Sequence, residues 1–230
     1  MTDCTVVTGA ASGIGKAVAE LLESKGERVF RVDLRAGDLA IDLTAPNAVE
    51  TLAAAIGARY GAVKGFVHCA GFDRAAPLGM IRDGDVEALC AIHAAFPLKF
   101  LGWLAKKGNH APGASCVLIS SLAAHEGAKG HAAYAAAKGA AEGFLKPAAA
   151  ELAMKGVRLN AVVLGVVATD MAKSWIDKLA PEQLNALKAG YPFGIGRPED
   201  VARIIAFLLG EDSSWITGQT IVCDGGHSLA

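Results

Sequence analysis

At 230 residues the chain is long enough for one large buried core. Its 53% hydrophobic residues and 27 glycines suit a parallel sheet covered on both faces, where strands read as continuous apolar runs. A formal net charge of −1 gives no electrostatic ground for nucleic acid or an anionic membrane as partner. The five scattered cysteines (Cys4, Cys69, Cys90, Cys116, Cys223) make no Cys-x-x-Cys pair, and no histidines cluster at metal spacing, so buried thiols in a reducing compartment and no metal are expected.

Asp3–Thr8 reads as a short buried strand that begins too early for a signal peptide to precede it. No uninterrupted apolar run approaches the ~20 residues of a membrane span, so a soluble cytoplasmic protein is expected. The strand runs directly into Gly9-Ala-Ala-Ser12-Gly13-Ile14-Gly15 and then into the helical pattern Ala17, Val18, Leu21, Leu22. Glycines at this point allow a tight turn and let the backbone approach a pyrophosphate seated on the helix N-terminus, although an ordinary βα turn has the same look. The next strand, Arg28–Asp33, ends 24 residues after Gly9 in a carboxylate placed to accept from an adenosine ribose.

Only eight residues separate Asp33 from Asp42, too few for a connecting helix before a short third strand near Leu39–Asp42. A helix from about Asn47 to Tyr60, a strand Val63–His68, a long helix from about Asp83 to Lys107 and a strand Ser115–Ser120 follow. A helix from about Tyr134 to Lys155 and strands Val157–Val163 and Gln219–Cys223 complete the pattern. Strands alternating with helices predict right-handed βαβ crossovers and a seven-stranded parallel sheet. Neither an internal repeat nor a linker marks a second domain within 1–230.

Tyr134 and Lys138, at i and i+4, fall on one helix face, where an ammonium favours the phenolate and makes the tyrosine a usable acid or base near neutral pH. Alone, Tyr-x-x-x-Lys is common on solvated helices. Ser121 lies thirteen residues earlier, at the strand end where open α/β sheets bind ligands.

These residues resemble the short-chain dehydrogenase/reductase family over essentially the whole chain. Thr8-Gly9-x-x-x-Gly13-Ile14-Gly15 looks like its cofactor turn, including Ser12, and Ser121, Tyr134 and Lys138 fall on its catalytic serine, tyrosine and lysine. Asn160 through Thr169 is similar to the segment beside the nicotinamide, with Gly165, Val167 and Thr169 as contacts and Leu164 in place of a proline. Ile216–Gln219 and Asp224–Gly226 look like the C-terminal signature. Asp42-Leu43 resembles the acid-apolar pair that contacts adenine, and reads equally as a helix N-cap acid before Pro46. His68-Cys69-Ala70-Gly71 stands for Asn-Asn-Ala-Gly: the close approach to the cofactor ribose is kept, and the asparagines that brace the sheet are gone. His93 replaces the asparagine of the catalytic tetrad, whose carbonyl holds a relay water. Pro97 lacks an N–H, so the carbonyl of residue 93 is expected free to hold that water; alternatively Pro97 merely kinks the helix around an interior histidine. Pro147 interrupts the next helix similarly, either altering subunit pairing or bending the helix around the core.

The resemblance implies a single-domain Rossmann fold, a doubly wound α/β sheet with helices on both faces. It further implies an NAD(H)-dependent oxidoreductase interconverting a secondary alcohol and its ketone. Tyr134 would pass the proton, Lys138 lower its pKa and hold the ribose, Ser121 orient the oxygen and residue 93 carry the water. NAD is expected because Asp33 repels a 2′-phosphate and Leu34 offers no cation, although Arg35 is near. The short Asp33–Asp42 connection tilts the resemblance towards hydroxysteroid and dihydrodiol types. An NADP-linked 3-oxoacyl or polyketide ketoreductase and a cofactor-binding regulator without turnover are the alternatives. A homodimer or homotetramer is implied, acting on a small molecule. Phe72, Asp73, Arg74, Ala123, His125, Glu126 and His131 are candidate walls. Met171 to Phe193, with Trp175, Leu179, Leu184, Leu187 and Tyr191, would form a lid unless its apolar stripe is plain packing.

Overall fold

The computed structural model describes residues 2–229. Seven parallel strands lie in the order β3-β2-β1-β4-β5-β6-β7: β1 Cys4–Thr8, β2 Val29–Asp33, β3 Leu39–Ala40, β4 Val63–His68, β5 His110–Ser121, β6 Arg158–Leu164 and β7 Thr220–Cys223. Chain order reverses between β1 and β4, so the connections after these strands leave towards opposite faces and open a crevice at their carboxyl ends.

Alternate residues of the central strands enter two cores. Val6, Phe30, Phe66, Cys116 and Leu159, paired across the sheet, face α2 (Ala48–Arg59), α4 (Phe96–Leu104) and α5 (Ala132–Ala153). Val7, Val29, Val67, Val117 and Val162 face α1 (Gly13–Ser24) and α8 (Pro198–Leu209). Burial on both faces explains the unbroken apolar reading of these strands. Two short helices, α6 (Asp170–Ile176) and α7 (Pro181–Ala189), follow β6.

Three readings are corrected in detail. The helix expected from Asp83 to Lys107 is α3 (Asp85–Cys90), a π turn at Ala91–Ala95 and α4. Asp85–Leu104 is in fact long and apolar enough to cross a membrane by length and composition, but Leu89, Phe96, Phe100 and Leu104 are buried in the protein. Asp42 is no helix cap: Asn47 is the N-cap of α2, and Asp42 Oδ1 accepts from Thr44 N–H at 2.8 Å and Thr44 Oγ1–H at 2.7 Å in an Asx turn.

The trimmed connection contains no helix. Arg31 N–H donates to Asp38 Oδ2 at 2.9 Å and Asp38 N–H returns to the Arg31 carbonyl at 2.8 Å. Gly37, at φ +100°, closes this turn; a Cβ there would lie 2.7 Å from the Arg31 carbonyl oxygen. Pro147 is carried inside α5 without ending it.

Candidate active site

At the end of β1 the backbone is drawn tightly against β4. Gly9 has φ +69°, and a Cβ on it would stand 2.7 Å from Ala70 N; one on Gly15 would stand 2.2 Å from the Gly9 carbonyl. α1 then begins with no side-chain cap from Ser12, which leaves its first-turn N–H groups to a ligand. Asp33 Oδ2 accepts from Ala11 N–H at 3.1 Å and Oδ1 from Arg35 N–H at 3.3 Å, pinning the carboxylate beside the glycine turn. Gly13 faces Thr169, the N-cap of α6, whose Oγ1 accepts from Ala172 N–H. An uncapped helix start, glycines at van der Waals approach and a fixed carboxylate fit a dinucleotide.

β5 delivers Ser121 at its last position, with Oγ accepting from Ala123 N–H at 3.2 Å. One turn of α5 sets Lys138 Nζ 5.6 Å from the Tyr134 ring centre, and Nζ donates to the Ile119 carbonyl at 2.7 Å. Burial lowers the Lys138 pKa to about 8. Burial, then the charge of Asp73, raises that of Tyr134, with the Ser121 hydroxyl opposing. The expected easy phenolate is therefore not a property of the protein alone: desolvation of the phenol outweighs its neighbours, and the ammonium is engaged by a main-chain carbonyl.

His93 is buried, with its ring edge-on to Tyr134 at 5.2 Å between centres. Nε2–H donates to the Phe72 carbonyl at 2.8 Å, and Nδ1 has no partner. Burial first, and the Lys138 charge second, hold its pKa at about 2, so the imidazole is neutral across the working range. Burial thus opposes a role for the ring as a shuttle titrating near neutrality. Its ring also explains Gly71, where a Cβ would stand 2.1 Å from His93 Cε1.

The carbonyl freed by Pro97 falls one residue earlier than expected. In the π register Phe96 N–H bonds the Ala91 carbonyl, so the missing N–H of Pro97 falls opposite Ile92 rather than His93. His68 Nε2–H fills that gap, donating to the Ile92 carbonyl at 2.8 Å. On its other side Thr8 Oγ1–H donates to His68 Nδ1 at 2.9 Å, and Ala70 N–H donates to Thr8 Oγ1 at 3.2 Å. The brace thought lost with the family's asparagines is thus rebuilt by histidine, linking β1, β4 and the π turn. Burial depresses the His68 pKa to about 3. The sequence names Thr8 and His68 only for their places in the family pattern and leaves their link to Ile92 unread; the pairing of a strand-end histidine with a helical proline was the available signal.

One cleft of about 920 Å³ is lined by Gly9, Ser12, Gly13, Ile14, Gly15, Asp33, Leu34, Asp42, Leu43, Cys69, Ala70, Gly71, His93, Ser121, Tyr134, Lys138, Gly165, Val167 and Thr169. The structure therefore brings together every residue singled out for the cofactor and the chemistry. Phe72, Asp73, Ala123, Glu126 and His131 line its other end, with Met171, Trp175 and Tyr191. Arg74 and His125 do not line it: they pair with Asp85 and Glu142. Leu179, Leu184 and Leu187 also stay outside, so the expected lid reaches the cleft through its first part and Tyr191 while its middle does not.

Fold and cleft define a dinucleotide-binding α/β protein. The profile of a family described as enoyl-(acyl carrier protein) reductase matches residues 9–228. A 3-oxoacyl-(acyl-carrier-protein) reductase of Vibrio cholerae is 32% identical over 241 residues, covering 96% of this chain and 95% of that protein. A D-threitol dehydrogenase of Mycolicibacterium smegmatis is 32% identical over 243 residues, covering 97% and 92%. Among solved structures, a 3-alpha-hydroxysteroid dehydrogenase from Pseudomonas sp. complexed with NADH superposes with a TM-score of 0.81 at 28% identity, covering 97% of this chain and 96% of that one. The chain belongs to the short-chain dehydrogenase/reductase family and is an oxidoreductase of that family.

Proposed function

We propose that the chain is an NAD(H)-dependent oxidoreductase that interconverts a secondary alcohol of apolar cyclic or aromatic type, such as a hydroxysteroid or dihydrodiol, and its ketone. The observation that carries this reading is the single cleft joining Asp33 and the glycine turn to Ser121, Tyr134 and Lys138. A bound nicotinamide would supply the hydride acceptor or donor. The chain's own part is proton handling and orientation. Tyr134, whose phenol burial and Asp73 favour over the phenolate, donates its proton to the ketone oxygen in reduction and is left as the phenolate; in oxidation the phenolate takes the alcohol proton back. Ser121 gives that oxygen a second hydrogen bond. Lys138 lies between the Ile119 carbonyl and the phenol, with protons left for a ribose hydroxyl. Neutral His93 contributes position rather than charge. Phe72, Ile92, Leu122, Met171 and Trp175 make the reacting end apolar.

Asp33 supports NAD because a carboxylate accepts from ribose hydroxyls and repels a 2′-phosphate; the NADH held by the hydroxysteroid dehydrogenase agrees. The second reading, an NADP-linked 3-oxoacyl reductase, draws on the name of the Vibrio relative and on Arg35, which is exposed two residues beyond Asp33. The same proposal includes a homo-oligomer, supported by the exposed Trp215 and by the edge strand β7 with half-exposed Val222.

A panel of secondary alcohols with each cofactor, followed by absorbance of the reduced nicotinamide, tests the reading. NAD should be preferred by about tenfold or more, roughly 1.4 kcal/mol. Equal or better efficiency with NADP would overturn the cofactor assignment, and NAD binding without turnover on any alcohol would favour a regulator.

A further inference from the structure

Among the described residues, two buried side-chain polar atoms have no hydrogen-bond partner: His93 Nδ1 and Asp73 Oδ1. The first lies against the Gly71 backbone. Asp73 stands in the cleft wall further out, near enough to Tyr134 for its charge to raise the phenol's pKa. His131 holds the other carboxylate oxygen, with Nε2 3.0 Å from Asp73 Oδ2, while His131 Nδ1 faces the Lys129 carbonyl at 3.2 Å. Each ring nitrogen thus already faces an acceptor, and the ring cannot also serve Oδ1. The His131 and Tyr134 ring centres are 6.5 Å apart, which sets the pair on the same side of the cleft as the Tyr134 ring.

A carboxylate oxygen shut away without a donor is costly, and a rotation of the Asp73 carboxylate, whose side chain is partly exposed, lets a ligand that brings a donor recover that cost. Glu126 also lines the cleft. Asp73 and Glu126 therefore set carboxylate acceptors into an otherwise largely apolar wall, an arrangement that suits a neutral molecule with hydroxyl groups better than a phosphate- or carboxylate-bearing acyl chain.

We propose that Asp73, held by His131, determines specificity by accepting a hydrogen bond from a second hydroxyl on the carbon next to the reacting one. The substrate class is then a vicinal diol, or an α-hydroxy ketone in the reverse direction. This assignment rests on the alcohol–ketone reading above and adds the neighbour that the substrate must carry. The apolar lining from Phe72, Ile92 and Trp175 leaves room for hydrocarbon around the paired oxygens.

The test compares cis-cyclohexanediol, cyclohexanol and vicinal aminocyclohexanol. In the wild-type protein the diol should exceed cyclohexanol in kcat/KM by about tenfold or more, and in Asp73→Ala the ratio should fall to within about threefold of one. His131→Ala, which unpins the carboxylate, should lower the ratio part of the way and reads the same contact should Asp73→Ala fold poorly. A wild-type ratio near one, a ratio that neither variant changes, or a stronger preference for the amino alcohol overturns the assignment. Calorimetric binding to Tyr134→Phe in the presence of NAD separates this from the parent reading. Diol-selective binding that Asp73→Ala erases supports the Asp73 contact even if no alcohol is oxidised, in which case the oxidoreductase reading alone has failed. Equal binding of diol and cyclohexanol overturns the contact.

Discussion

At the cofactor end of the cleft the wall is shaped by backbone meeting backbone: Gly9 against Ala70, Gly15 against the Gly9 carbonyl, Asp33 on the Ala11 N–H. At the substrate end it is shaped by side chains from separate segments: Phe72 and Asp73 after β4, His131 before α5, Met171 and Trp175 on α6, and Tyr191 beyond α7. A backbone-built site tolerates few residue types, because any Cβ collides with main chain that cannot move aside. A side-chain-built site keeps its frame while its chemistry changes with each substitution. One end therefore marks the family and the other the individual substrate.

The two ends meet at Tyr134, where the largest effect is expected. Tyr134→Phe keeps the ring against His93 and removes the proton, so kcat should fall on the order of 10²-fold or more while NAD affinity stays within about twofold. A variant that turned over normally would detach the chemistry from this junction. Next comes Gly71→Ala, which drives a methyl into a histidine ring already fixed to the Phe72 carbonyl. About 2–3 kcal/mol of stability should be lost in urea unfolding, and His93→Ala in the same chain should restore much of it.

The buried brace gives a pH dependence of definite sign. His68 has a folded pKa of about 3, below its ordinary value of about 6.5, so its contribution is complete above the unfolded pKa and declines as pH falls through that window. Because His68 remains neutral in the native state at pH 5, about 2 kcal/mol should be lost between roughly pH 7 and pH 5 on its account. His68→Gln, which can still donate to Ile92, should flatten the unfolding free energy over that interval, and an unchanged slope would deny the buried neutral ring.

Smaller effects separate the two ends more finely. Asp33→Asn should erase most of the NAD preference, a change of about tenfold or roughly 1.4 kcal/mol in kcat/KM between cofactors, with alcohol selectivity untouched. Trp175→Ala should do the reverse, raising KM for an apolar alcohol a few-fold, below about 1 kcal/mol, and leaving the NAD dissociation constant alone. Crossed results, with Trp175 altering cofactor choice, would mean that the ends are not independent.

The same division decides what was readable in the sequence. Glycines at fixed spacing, an acid at a strand end and Tyr-x-x-x-Lys on one helix face are local patterns, and all of them converge on the cleft. The seven-stranded parallel sheet and the trimmed β2–β3 connection followed from strand and helix spacing, and the doubly wound arrangement from the family resemblance. The π turn did not, because its register depends on His68, 24 residues from Ile92, supplying the bond that Pro97 withholds. Nor did the Tyr134 pKa, since the depth of burial that opposes the phenolate is set by packing. Arg74 and His125 show the same limit: their partners Asp85 and Glu142 sit eleven and seventeen residues away and draw them out of the cleft.

The π turn also has a consequence for how this region can drift. α3 turns Leu89 towards Ala133 and Ala137, whereas α4 turns Phe96, Phe100 and Leu104 into the core under the sheet. The wider turn at Ala91–Ala95 adds one residue and so rotates everything beyond it by roughly 100° relative to an unbroken helix. It acts as a phase coupling between two gears. Deleting a single residue there would regularise the helix and swing the aromatic set of α4 away from the sheet. Between Cys90 and Phe96 the chain can therefore change its letters far more freely than its length.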